Sequence, residues 1–414
     1  MQVVIMAGGR GTRIASIASD IPKPMIQICG KPILQYQIEC LRTQNLTDII
    51  LVIGHLGDCI KEYFGDGSSF NVHITYIEEK EPLGTAGALY YLKGKLCDNF
   101  VLINGDIIFD IDFERFMKYH VKMDAYATIF THPNDHPYDS GLVVVDKDGY
   151  VKKWMHKEEV RSICKNRVNA GLHILSARLL DFFSEAKKID LDREILKILI
   201  PNRLLAAYDS PEYVKDMGTP KRYEMVTKDI KNGLVHAKNL KNKQRAVFLD
   251  RDGTINIHKG FVRSERDLEL IPGIANVIKK INASGYLAIV VTNQPVIARG
   301  ECTVEELDQI HEKMETLLGQ EGAYVDDIFY CPHHPDSGFE GERIEYKIDC
   351  NCRKPKPGML LQAAEKYNID LHQSYMIGDD ERDMEAGRAV GCRTVMTKCN
   401  VAISIDDEHI DKIV

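Results

Sequence analysis

The chain has 414 residues, of which 44% are hydrophobic and 28% are charged, and its formal net charge at pH 7 is -8. This length predicts two or three domains that each bury a core, and the composition is that of an ordinary globular protein. The negative charge argues against a general nucleic-acid binder, and no apolar run is long enough to cross a bilayer. The N-terminal segment has no basic stretch ahead of its apolar residues and no cleavage site, so we expect no signal peptide and a cytoplasmic location.

The first apolar run, residues 3–6, leads directly into a glycine-rich loop, GGRGTR, at residues 8–13. A strand that ends in such a loop exposes backbone N–H groups to phosphate, and the two arginines add positive charge. The loop lacks the Lys-Ser/Thr ending of a Walker A loop and is not a GxGxxG sequence. Lys23 follows between two prolines, where it can meet a phosphate or simply lie in an exposed loop. The pattern predicts phosphate binding at the end of the first strand.

Strand and helix patterns then alternate, with a second glycine loop at residues 81–88 that opens a helix. We predict the following elements: a helix over 32–45, a strand over 49–53, a helix over 58–64, and strands over 72–77 and 100–104. This alternation predicts a parallel sheet covered on both faces, and ligands of such sheets bind at the carboxyl ends of the strands. Both glycine loops and Asp106 fall at that edge.

The fragments GGRGTR, PKPM, EPLGTAGA and NGD occur in this order, followed by NAG at 169–171 and DMGTP at 216–220. Together they resemble the sugar-1-phosphate nucleotidylyltransferases over roughly residues 1–230. The resemblance implies that a sugar phosphate attacks the α-phosphate of a nucleoside triphosphate and that pyrophosphate leaves. It implies nucleotide contacts from Gly8, Gly9, Gly11, Thr12, Arg13, Gly84 and Thr85.

The same resemblance assigns the metal, phosphate and sugar contacts. It implies two carboxylates for Mg²⁺, a lysine that steadies the phosphates and a turn that meets the sugar: Asp106, Asp216, Lys23, Asn169 and Gly171. The family usually carries Glu-Lys ahead of the sugar turn, whereas this chain has His156-Lys157. Lys157 can still meet the sugar phosphate. His156 either replaces the glutamate or is a solvated loop histidine.

The segment 233–244 separates the first group of motifs from a second one. It is basic and polar and has no convincing periodic apolar face, so we predict a linker or crossing segment, with a continuing basic helix as the alternative. The predicted domains are therefore residues 1–232 and residues 245–414.

Four apolar residues, 246–249, run straight into Asp250-Arg251-Asp252-Gly253-Thr254. This pattern predicts a buried parallel strand that delivers Asp250 and Asp252 to a loop at its carboxyl end. Two carboxylates placed so closely suit Mg²⁺, and we favour this over a plain Asp-Gly turn. Two later strands end at Thr292, whose hydroxyl can bond a phosphoryl oxygen, and near Asp379, which stands where a third metal carboxylate should be.

The rest of the second half again alternates helices and strands. We predict helices over 274–284, 303–318 and 357–367, and strands over 287–291, 327–330 and 374–377. The helix at 303 should begin with a capping box, because Thr303 precedes Glu306 by three residues. The expected fold class is α/β, with two doubly wound, mostly parallel Rossmann-like domains.

Cys331, His333, Cys350 and Cys352 have the spacing C-x-H-x16-C-x-C. Three thiolates and one imidazole form a closed tetrahedral set of the kind that holds structural Zn²⁺. The loop between them is polar and has little to bury, so a metal would order it in place of a core. His334 is an alternative ligand, and four unrelated residues in a cytosolic chain are the alternative interpretation.

DRDGT, TNQ, the zinc loop, RKPKP and GDD resemble the haloacid dehalogenase-type phosphatases over roughly residues 244–400. Within them the set looks most like the D-glycero-D-manno-heptose 1,7-bisphosphate phosphatases, which share it with the histidinol-phosphate phosphatases. The resemblance implies that Asp250 is the nucleophile, that Asp252 is the acid and then the base, and that both hold Mg²⁺ with Asp379. It also implies phosphoryl or substrate contacts from Thr292, Asn293, Lys354, Arg299 and Arg353. Pro295-Val296 departs from the small residues usual after TNQ, which leaves the shape of the substrate loop open.

The two resemblances fit one sequence of reactions, in which the second half makes the sugar 1-phosphate that the first half joins to a nucleotide. The first half most resembles the heptose-1-phosphate guanylyltransferases, so we predict GDP-D-glycero-α-D-manno-heptose as the product. The alternatives are an ADP- or other NDP-sugar product, and a sugar-phosphate-sensing protein with an inactive first half. The expected partners are small molecules, without nucleic acid or membrane, and the sequence leaves the oligomeric state open.

Overall fold

The computed structural model describes residues 1–8, 21–96, 98–161 and 163–403. The chain folds into two compact units. Unit 1 comprises Met1–Thr131, Val143–Trp154 and Asn169–Asn239, and unit 2 comprises His132–Leu142, Met155–Val168 and Leu240–Val414. This division differs from a single cut between residues 232 and 245, because two stretches of the first half, His132–Leu142 and Met155–Val168, belong to unit 2. We call them the early segments of unit 2.

The first half of the chain alternates strands and helices. Its strands are β1 Gln2–Met6, β2 Gln27–Ile28, β3 Lys31–Pro32, β4 Asp48–Ile53, β5 His73–Glu78, β6 Asn99–Asn104, β7 Ile107–Asp110, β8 Ala127–His132, β9 Leu142–Val145, β10 Val151–Met155, β11 Val168–Ser176, β12 Leu205–Asp209 and β13 Tyr213–Asp216. Its α-helices are α1 Ile33–Thr43, α2 Gly57–Phe64, α3 Phe113–Met123, α4 Pro220–Lys231 and α5 Leu234–Ala237. Short 3-10 turns cover Lys23–Met25, Ser68–Phe70, Gly87–Leu92, Pro137–Asp139, Ala177–Phe182 and Lys197–Asn202, and a π-helix covers Leu191–Leu196.

The main sheet of this half runs in the order β10-β9-β11-β6-β1-β4-β5, with β8 beside β11 and β12 beside β8. β1 is parallel to both β4 and β6, and β5 is parallel to β4. The interior of β1 is fully buried, since Val3, Val4 and Ile5 are all 0% exposed. The carboxyl ends of these four strands therefore meet at one edge, as the sequence predicts.

Two predictions about the first half need adjustment. The second glycine loop opens a short 3-10 helix at Gly87–Leu92 rather than a full α-helix. Part of the predicted linker is helical, because α5 lies within it, and Leu240 at its end is buried with the apolar core of unit 2. The segment 233–244 is thus a folded connection.

Unit 2 is built on a parallel sheet, as the sequence predicts. After the linker the strands are β14 Ala246–Leu249, β15 Leu287–Asn293, β16 Asp327–Cys331, β17 Tyr375–Gly378 and β18 Arg393–Met396. The helices are α6 Ile274–Ala283, α7 Val304–Gln320, α8 Gly358–Tyr367 and α9 Glu381–Ala389, with short 3-10 turns at Ile344–Tyr346 and Leu371–Gln373. The strand order is β16-β15-β14-β17-β18, with every pair parallel. The predicted capping box of Thr303 and Glu306 at the start of α7 is confirmed.

The early segments of unit 2 pack against helix α7 and the start of β16. The Arg167 guanidinium pairs with Glu315 at 3.0 Å and donates to the Asp326 carbonyl at 2.9 Å. The Cys164 N–H donates to the Thr316 hydroxyl, and that hydroxyl donates back to the Cys164 carbonyl, both at 3.0 Å. Since Arg167 and Glu315 are only 4% and 2% exposed, this is a buried ion pair. Within the described residues, no helix is long and apolar enough to cross a membrane.

Candidate active sites

Asp250 stands immediately after β14, at the carboxyl end of the sheet of unit 2, and is 8% exposed. Its carboxylate accepts a hydrogen bond from the Lys354 ammonium at 2.7 Å. The same ammonium lies 2.6 Å from the Asp383 carboxylate and donates to the Val291 carbonyl at 2.8 Å. Lys354 is 3% exposed, so its charge is buried between two carboxylates that neutralise it. A nucleophile candidate and a phosphate-binding cation therefore lie in direct contact.

Three carboxylates of unit 2 form one cluster: the oxygens of Asp250, Asp379 and Asp383 lie within 4.8 Å of one another. Oxygen ligands from a few carboxylates suit Mg²⁺, so the donor set fits this ion. Burial raises the pKa of Asp250 to about 7, and the Lys354 ammonium acts in the opposite direction. Asp379 belongs to the predicted metal set, whereas Asp383 was not predicted. The run GDDERD contains it, but only the fold shows that it turns back from helix α9 onto Lys354.

The Asp252 carboxylate lies outside that cluster and is held by neutral and cationic donors. Arg251, which is 0% exposed, bonds it at 3.0 Å, and Gln294 and Asn256 donate to it at 2.8 Å and 3.0 Å. Burial raises the pKa of Asp252, but the Arg251 guanidinium and these hydrogen bonds lower it overall. His311 on α7 in turn contacts Arg251 at 3.2 Å. Asp252 is thus positioned as an ionised hydrogen-bond acceptor beside Asp250.

The residues at the end of β15 organise the loop that carries Lys354. The Asn293 side chain donates to the Lys354 carbonyl and accepts from the Lys354 N–H, both at 3.0 Å. The Thr292 hydroxyl, 1% exposed, accepts from the Gln294 side chain at 2.9 Å. Asn293 therefore fixes the backbone of Lys354, while Thr292 lies at the strand end where the sequence placed it.

Arg299 is clamped between two aromatic rings, with its guanidinium carbon 4.6 Å from the Phe261 ring centre and 4.4 Å from that of Phe339. Its Nε is buried and has no hydrogen-bond partner among the described residues. Arg353, next to Lys354, donates to the His333 carbonyl at 3.1 Å. A guanidinium held by its faces keeps its N–H edge for an anion.

The charges of Arg299 and Arg353 both affect the pKa of His334. Burial lowers the pKa of His334, and the Arg353 and Arg299 charges lower it further. Both guanidinium charges are therefore felt at His334. Pro295 and Val296, which depart from the small residues expected after TNQ, are both buried.

The predicted zinc ligands come together. The sulfur atoms of Cys331, Cys350 and Cys352 are separated by 3.2, 3.3 and 3.5 Å, and His333 Nδ1 lies 3.3 Å from Cys352 Sγ. Tetrahedral Zn²⁺ with bonds of about 2.3 Å spaces its sulfurs about 3.8 Å apart, so the arrangement fits a four-coordinate zinc site. His334 instead accepts a hydrogen bond from the Asp336 N–H at 3.3 Å, which favours His333 as the ligand.

The structure describes only some of the residues of unit 1 that are predicted to contact the nucleotide. Gly8 follows β1, whereas Gly9, Gly11, Thr12 and Arg13 lie outside the described residues. Gly84 has a φ of +77°, which favours glycine. The Thr85 hydroxyl accepts from the Leu191 N–H at 2.7 Å, so the second glycine loop is tied to the π-helix.

Asp106 and Asp216 lie where β7 and β13 pair. Asp216 lies opposite Ile107, the neighbour of Asp106, and the Met217 N–H donates to the Asp106 carbonyl at 3.0 Å. The Lys23 ammonium bonds the Asp106 carboxylate, and Arg222 bonds both oxygens of Asp216 at 2.9 Å. The structure therefore brings together both predicted metal carboxylates and Lys23, each carboxylate beside a cation.

The predicted sugar turn lies close to this point. Gly171 has a φ of +74°, and a side chain there would collide with Asn104 at the end of β6. Asn169 accepts from the Gly171 N–H at 3.3 Å and donates to the Asp192 carboxylate at 3.5 Å. Only a glycine allows the turn to approach β6, two residues before Asp106.

Asp192, on the π-helix, was not predicted as a site residue. Burial raises the pKa of its carboxyl to about 7, and the Asp190 charge adds to the rise, while Asn169 and Arg193 act in the opposite direction. A buried carboxyl beside the sugar turn is a feature that sequence spacing did not reveal.

His156 and Lys157 lie in the early segment Met155–Val168 of unit 2. The His156 N–H donates to the Glu159 carboxylate at 3.0 Å, and Lys157 is exposed. Their roles toward a sugar phosphate stay predictions.

Comparison with known proteins finds two families that match separate parts of the chain. A family described as nucleotidyl transferase matches residues 2–233, and one described as HAD-hydrolase-like matches residues 351–411. A D-glycero-beta-D-manno-heptose-1,7-bisphosphate 7-phosphatase of Pasteurella multocida is 43% identical over 164 residues, which cover 39% of this chain and 86% of the relative. The enzyme of the same name from Escherichia coli K12 is 42% identical over 165 residues, covering 40% of this chain and 84% of the relative.

Two solved structures are also similar. HddC from Yersinia pseudotuberculosis, complexed with GMP-PN, is 29% identical, with 55% of this chain and 99% of that chain covered and a TM-score of 0.48. The D,D-heptose 1.7-bisphosphate phosphatase from B. bronchiseptica, complexed with magnesium and phosphate, is 36% identical, with 37% and 80% covered and a TM-score of 0.33. From the family match over 2–233 and the phosphatase relatives, the chain belongs to the nucleotidyl transferase family and, through a separate part of its length, to the family of heptose-1,7-bisphosphate 7-phosphatases.

Proposed function

We propose that the chain carries out two consecutive reactions of nucleotide-activated heptose biosynthesis. Unit 2 removes the 7-phosphate of D-glycero-α-D-manno-heptose 1,7-bisphosphate. Unit 1 then transfers a guanylyl group from GTP to the heptose 1-phosphate, which gives GDP-heptose and pyrophosphate. The observation that carries the proposal is the contact of Lys354 with Asp250 and Asp383 in a chain that also holds the Lys23, Asp106 and Asp216 cluster.

The phosphatase step follows from the positions of two carboxylates. An Asp250 oxygen attacks phosphorus, the bond from phosphorus to the sugar oxygen breaks, and Asp252 gives its proton to that oxygen. A phosphate ester beside Asp252 raises the pKa of this carboxyl by like-charge repulsion, which favours the protonated form at that moment. Asp252 then takes a proton from the water that hydrolyses the aspartyl phosphate, and inorganic phosphate leaves.

The remaining residues of unit 2 hold the substrate. Lys354 neutralises the phosphoryl group, and Thr292 bonds one of its oxygens. Arg299 and Arg353 hold the phosphate that stays on the sugar. This assignment is supported by the clamped guanidinium of Arg299 and by its charge acting on His334 together with that of Arg353.

Two metals belong to the proposal. Mg²⁺, when bound, neutralises phosphate charge, held in unit 2 by Asp250, Asp379, Asp383 and the Asp252 carbonyl, and in unit 1 by Asp106 and Asp216. Zn²⁺ held by the cysteine and histidine cluster would order the loop that ends beside Arg353 and Lys354. Since nucleoside triphosphates are substrates, we place the reactions in the cytoplasm.

In unit 1 an oxygen of the sugar 1-phosphate attacks the α-phosphorus of GTP, and the bond to pyrophosphate breaks. Lys23 and the glycine loops bind the phosphates, and the turn with Asn169 and Gly171 meets the sugar. The guanine base is supported by the resemblance to heptose-1-phosphate guanylyltransferases. Another nucleotide, or a sensing role without catalysis, is the competing proposal.

The test supplies the α and β anomers of heptose 1,7-bisphosphate separately, with Mg²⁺ and each of GTP, ATP, CTP and UTP. Inorganic phosphate and nucleotide-sugar are followed together. The proposal expects phosphate release with every nucleotide and nucleotide-sugar with GTP alone, from the α anomer. Phosphate release together with a nucleotide-sugar made from another nucleotide would overturn the assignment of guanine as the base. If neither the heptose bisphosphate nor any nucleoside triphosphate is turned over, the competing proposal of a sensing role without catalysis would stand.

A further inference from the structure

A cavity of about 380 Å³ opens at the amino-terminal edge of the parallel sheet of unit 2, and it is lined by Arg245, Tyr286, Gln373 and Arg393. Arg245 and Tyr286 directly precede β14 and β15, and Arg393 is the first residue of β18. The phosphatase candidate Asp250 instead follows the carboxyl end of β14. The cavity therefore lies at the other edge of the sheet from the phosphatase site.

Two buried tyrosines hold the two guanidinium groups of this cavity. The Arg245 guanidinium carbon lies 4.3 Å from the centre of the Tyr286 ring, and its Nη1 donates to the Tyr286 hydroxyl at 3.4 Å. The Arg393 guanidinium carbon lies 5.5 Å from the centre of the Tyr375 ring, and its Nη1 donates to the Tyr375 hydroxyl at 2.7 Å. Both tyrosines are 4% exposed, and their ring centres are 6.0 Å apart. The rings therefore position both guanidiniums before a ligand arrives, which lowers the entropy cost of binding.

The register of the sheet places the two arginines on one face. Tyr375 pairs with Val247 on β14 and with Arg393 on β18, so these three side chains point to the same side. Arg245 lies two residues before Val247 and shares that side, since its carbonyl continues the ladder by accepting from the Leu287 N–H at 2.8 Å. Arg245 makes no ion pair with any residue in the described part of the chain. Two like charges on one face of a sheet repel each other, and an anion between them removes this repulsion.

We propose that this cavity is a second anion site of unit 2, which binds a phosphate dianion between the guanidiniums of Arg245 and Arg393. A guanidinium offers N–H donors in a planar fork that matches the oxygens of a phosphate. The faces of both groups lie against tyrosine rings, so their N–H edges recognise the ligand. A volume of about 380 Å³ is within the range of small-molecule sites, so the phosphate can also carry a second phosphate or a small sugar. Inorganic phosphate, pyrophosphate and a sugar 1-phosphate share this chemistry.

Equilibrium dialysis with ³²P-labelled inorganic phosphate counts the ions bound to the full-length chain at fixed ionic strength. The natural chain is expected to bind one phosphate more per chain than the double variant Arg245→Met with Arg393→Met, because methionine keeps apolar contact with the ring and removes the charge. Each single variant should weaken this binding by roughly 10- to 150-fold, the value of one hydrogen bond to a charged group. Unlabelled phosphate, pyrophosphate and heptose 1-phosphate are then added in turn. The one that displaces the label at the lowest concentration identifies the source of the phosphate group.

Arg266→Met is the matched control, because it removes the same charge from a side chain of unit 2 that is 90% exposed and outside the cavity, and it should leave the count unchanged. Circular dichroism and phosphatase activity report the folding of unit 2. The double variant Arg245→Lys with Arg393→Lys keeps both charges but loses the planar forks, so it should fold as the natural chain does and bind phosphate more weakly. An equal count in the natural chain and in a folded double methionine variant would overturn the proposal. So would unchanged affinity in the double lysine variant, or an equal loss in Arg266→Met.

Discussion

The buried ion pair of Arg167 and Glu315 offers a direct test of how unit 2 is built. Arg167 belongs to the early segment Met155–Val168, and Glu315 lies on α7, so Glu315→Ala removes the partner of a buried guanidinium. The Arg167 hydrogen bonds to the Asp326 and Asn166 carbonyls, at 2.9 and 2.8 Å, do not involve Glu315.

The magnitude follows from the burial of both side chains, which are 4% and 2% exposed. Breaking a buried pair by removing one partner costs about 3–5 kcal/mol, because an uncompensated charge stays in the interior. With a urea m-value of roughly 2 kcal/mol per M, the transition of unit 2 should shift down by about 1.5–2.5 M. The exposed pair of Glu114 and Lys118, 67% and 74% exposed, is the control, and Glu114→Ala should change stability by no more than about 0.5 kcal/mol.

The two units can be followed separately in urea. Trp154, the single tryptophan, is buried in unit 1 and reports that unit by fluorescence, while loss of phosphatase activity reports unit 2. Glu315→Ala should move the activity transition. Replacing both partners, Arg167→Met with Glu315→Leu, should restore most of the loss, because no charge is left buried. A shift in Glu315→Ala no larger than that in Glu114→Ala would refute the reasoning.

Three further results are expected. Lys354→Met should lower phosphatase kcat by roughly 100- to 1,000-fold, because it removes the cation beside Asp250, and it should retain nucleotidyl transfer from heptose 1-phosphate. Loss of both the phosphatase and the nucleotidyl transfer activity would contradict separate sites. Cys350→Ser should reduce zinc from about one per chain, measured by atomic absorption, and lower the Tm of unit 2; a natural chain free of zinc would contradict the assignment. Because the pKa of Asp192 rises from 3.8 to about 7 on folding, unit 1 should lose up to about 4 kcal/mol of stability as pH rises from 4 to 7. Asp192→Asn should remove this loss, which Trp154 fluorescence would follow. An equal pH dependence of stability in the natural chain and in Asp192→Asn would contradict the prediction.

The sequence predicted the strands and the residues at their ends, because buried parallel strands read as continuous apolar runs. Asp250, Thr292 and Asp379 were placed on this ground, and the zinc ligands on their spacing and on the polar loop between them. Each signal is local: the chemistry follows within a few residues of the element that positions it.

Contacts that depend on distant elements could not be read in this way. Asp383 reaches Lys354 only because α9 returns over the sheet, and Arg251 is fixed by His311 from α7. The early segments of unit 2 are mostly polar, so their packing against α7 had no local signal in the sequence.

The most direct test of the account follows the products of the full-length chain and of Asp250→Asn by ³¹P NMR. With heptose 1,7-bisphosphate, Mg²⁺ and GTP, the natural chain should release inorganic phosphate and then form pyrophosphate and a GDP-heptose that carries no 7-phosphate. Asp250→Asn should form neither product from the bisphosphate, yet should form GDP-heptose from heptose 1-phosphate at the natural rate. A nucleotide-sugar that retains the 7-phosphate, or one formed from the bisphosphate by Asp250→Asn, would contradict the proposed order of the two reactions.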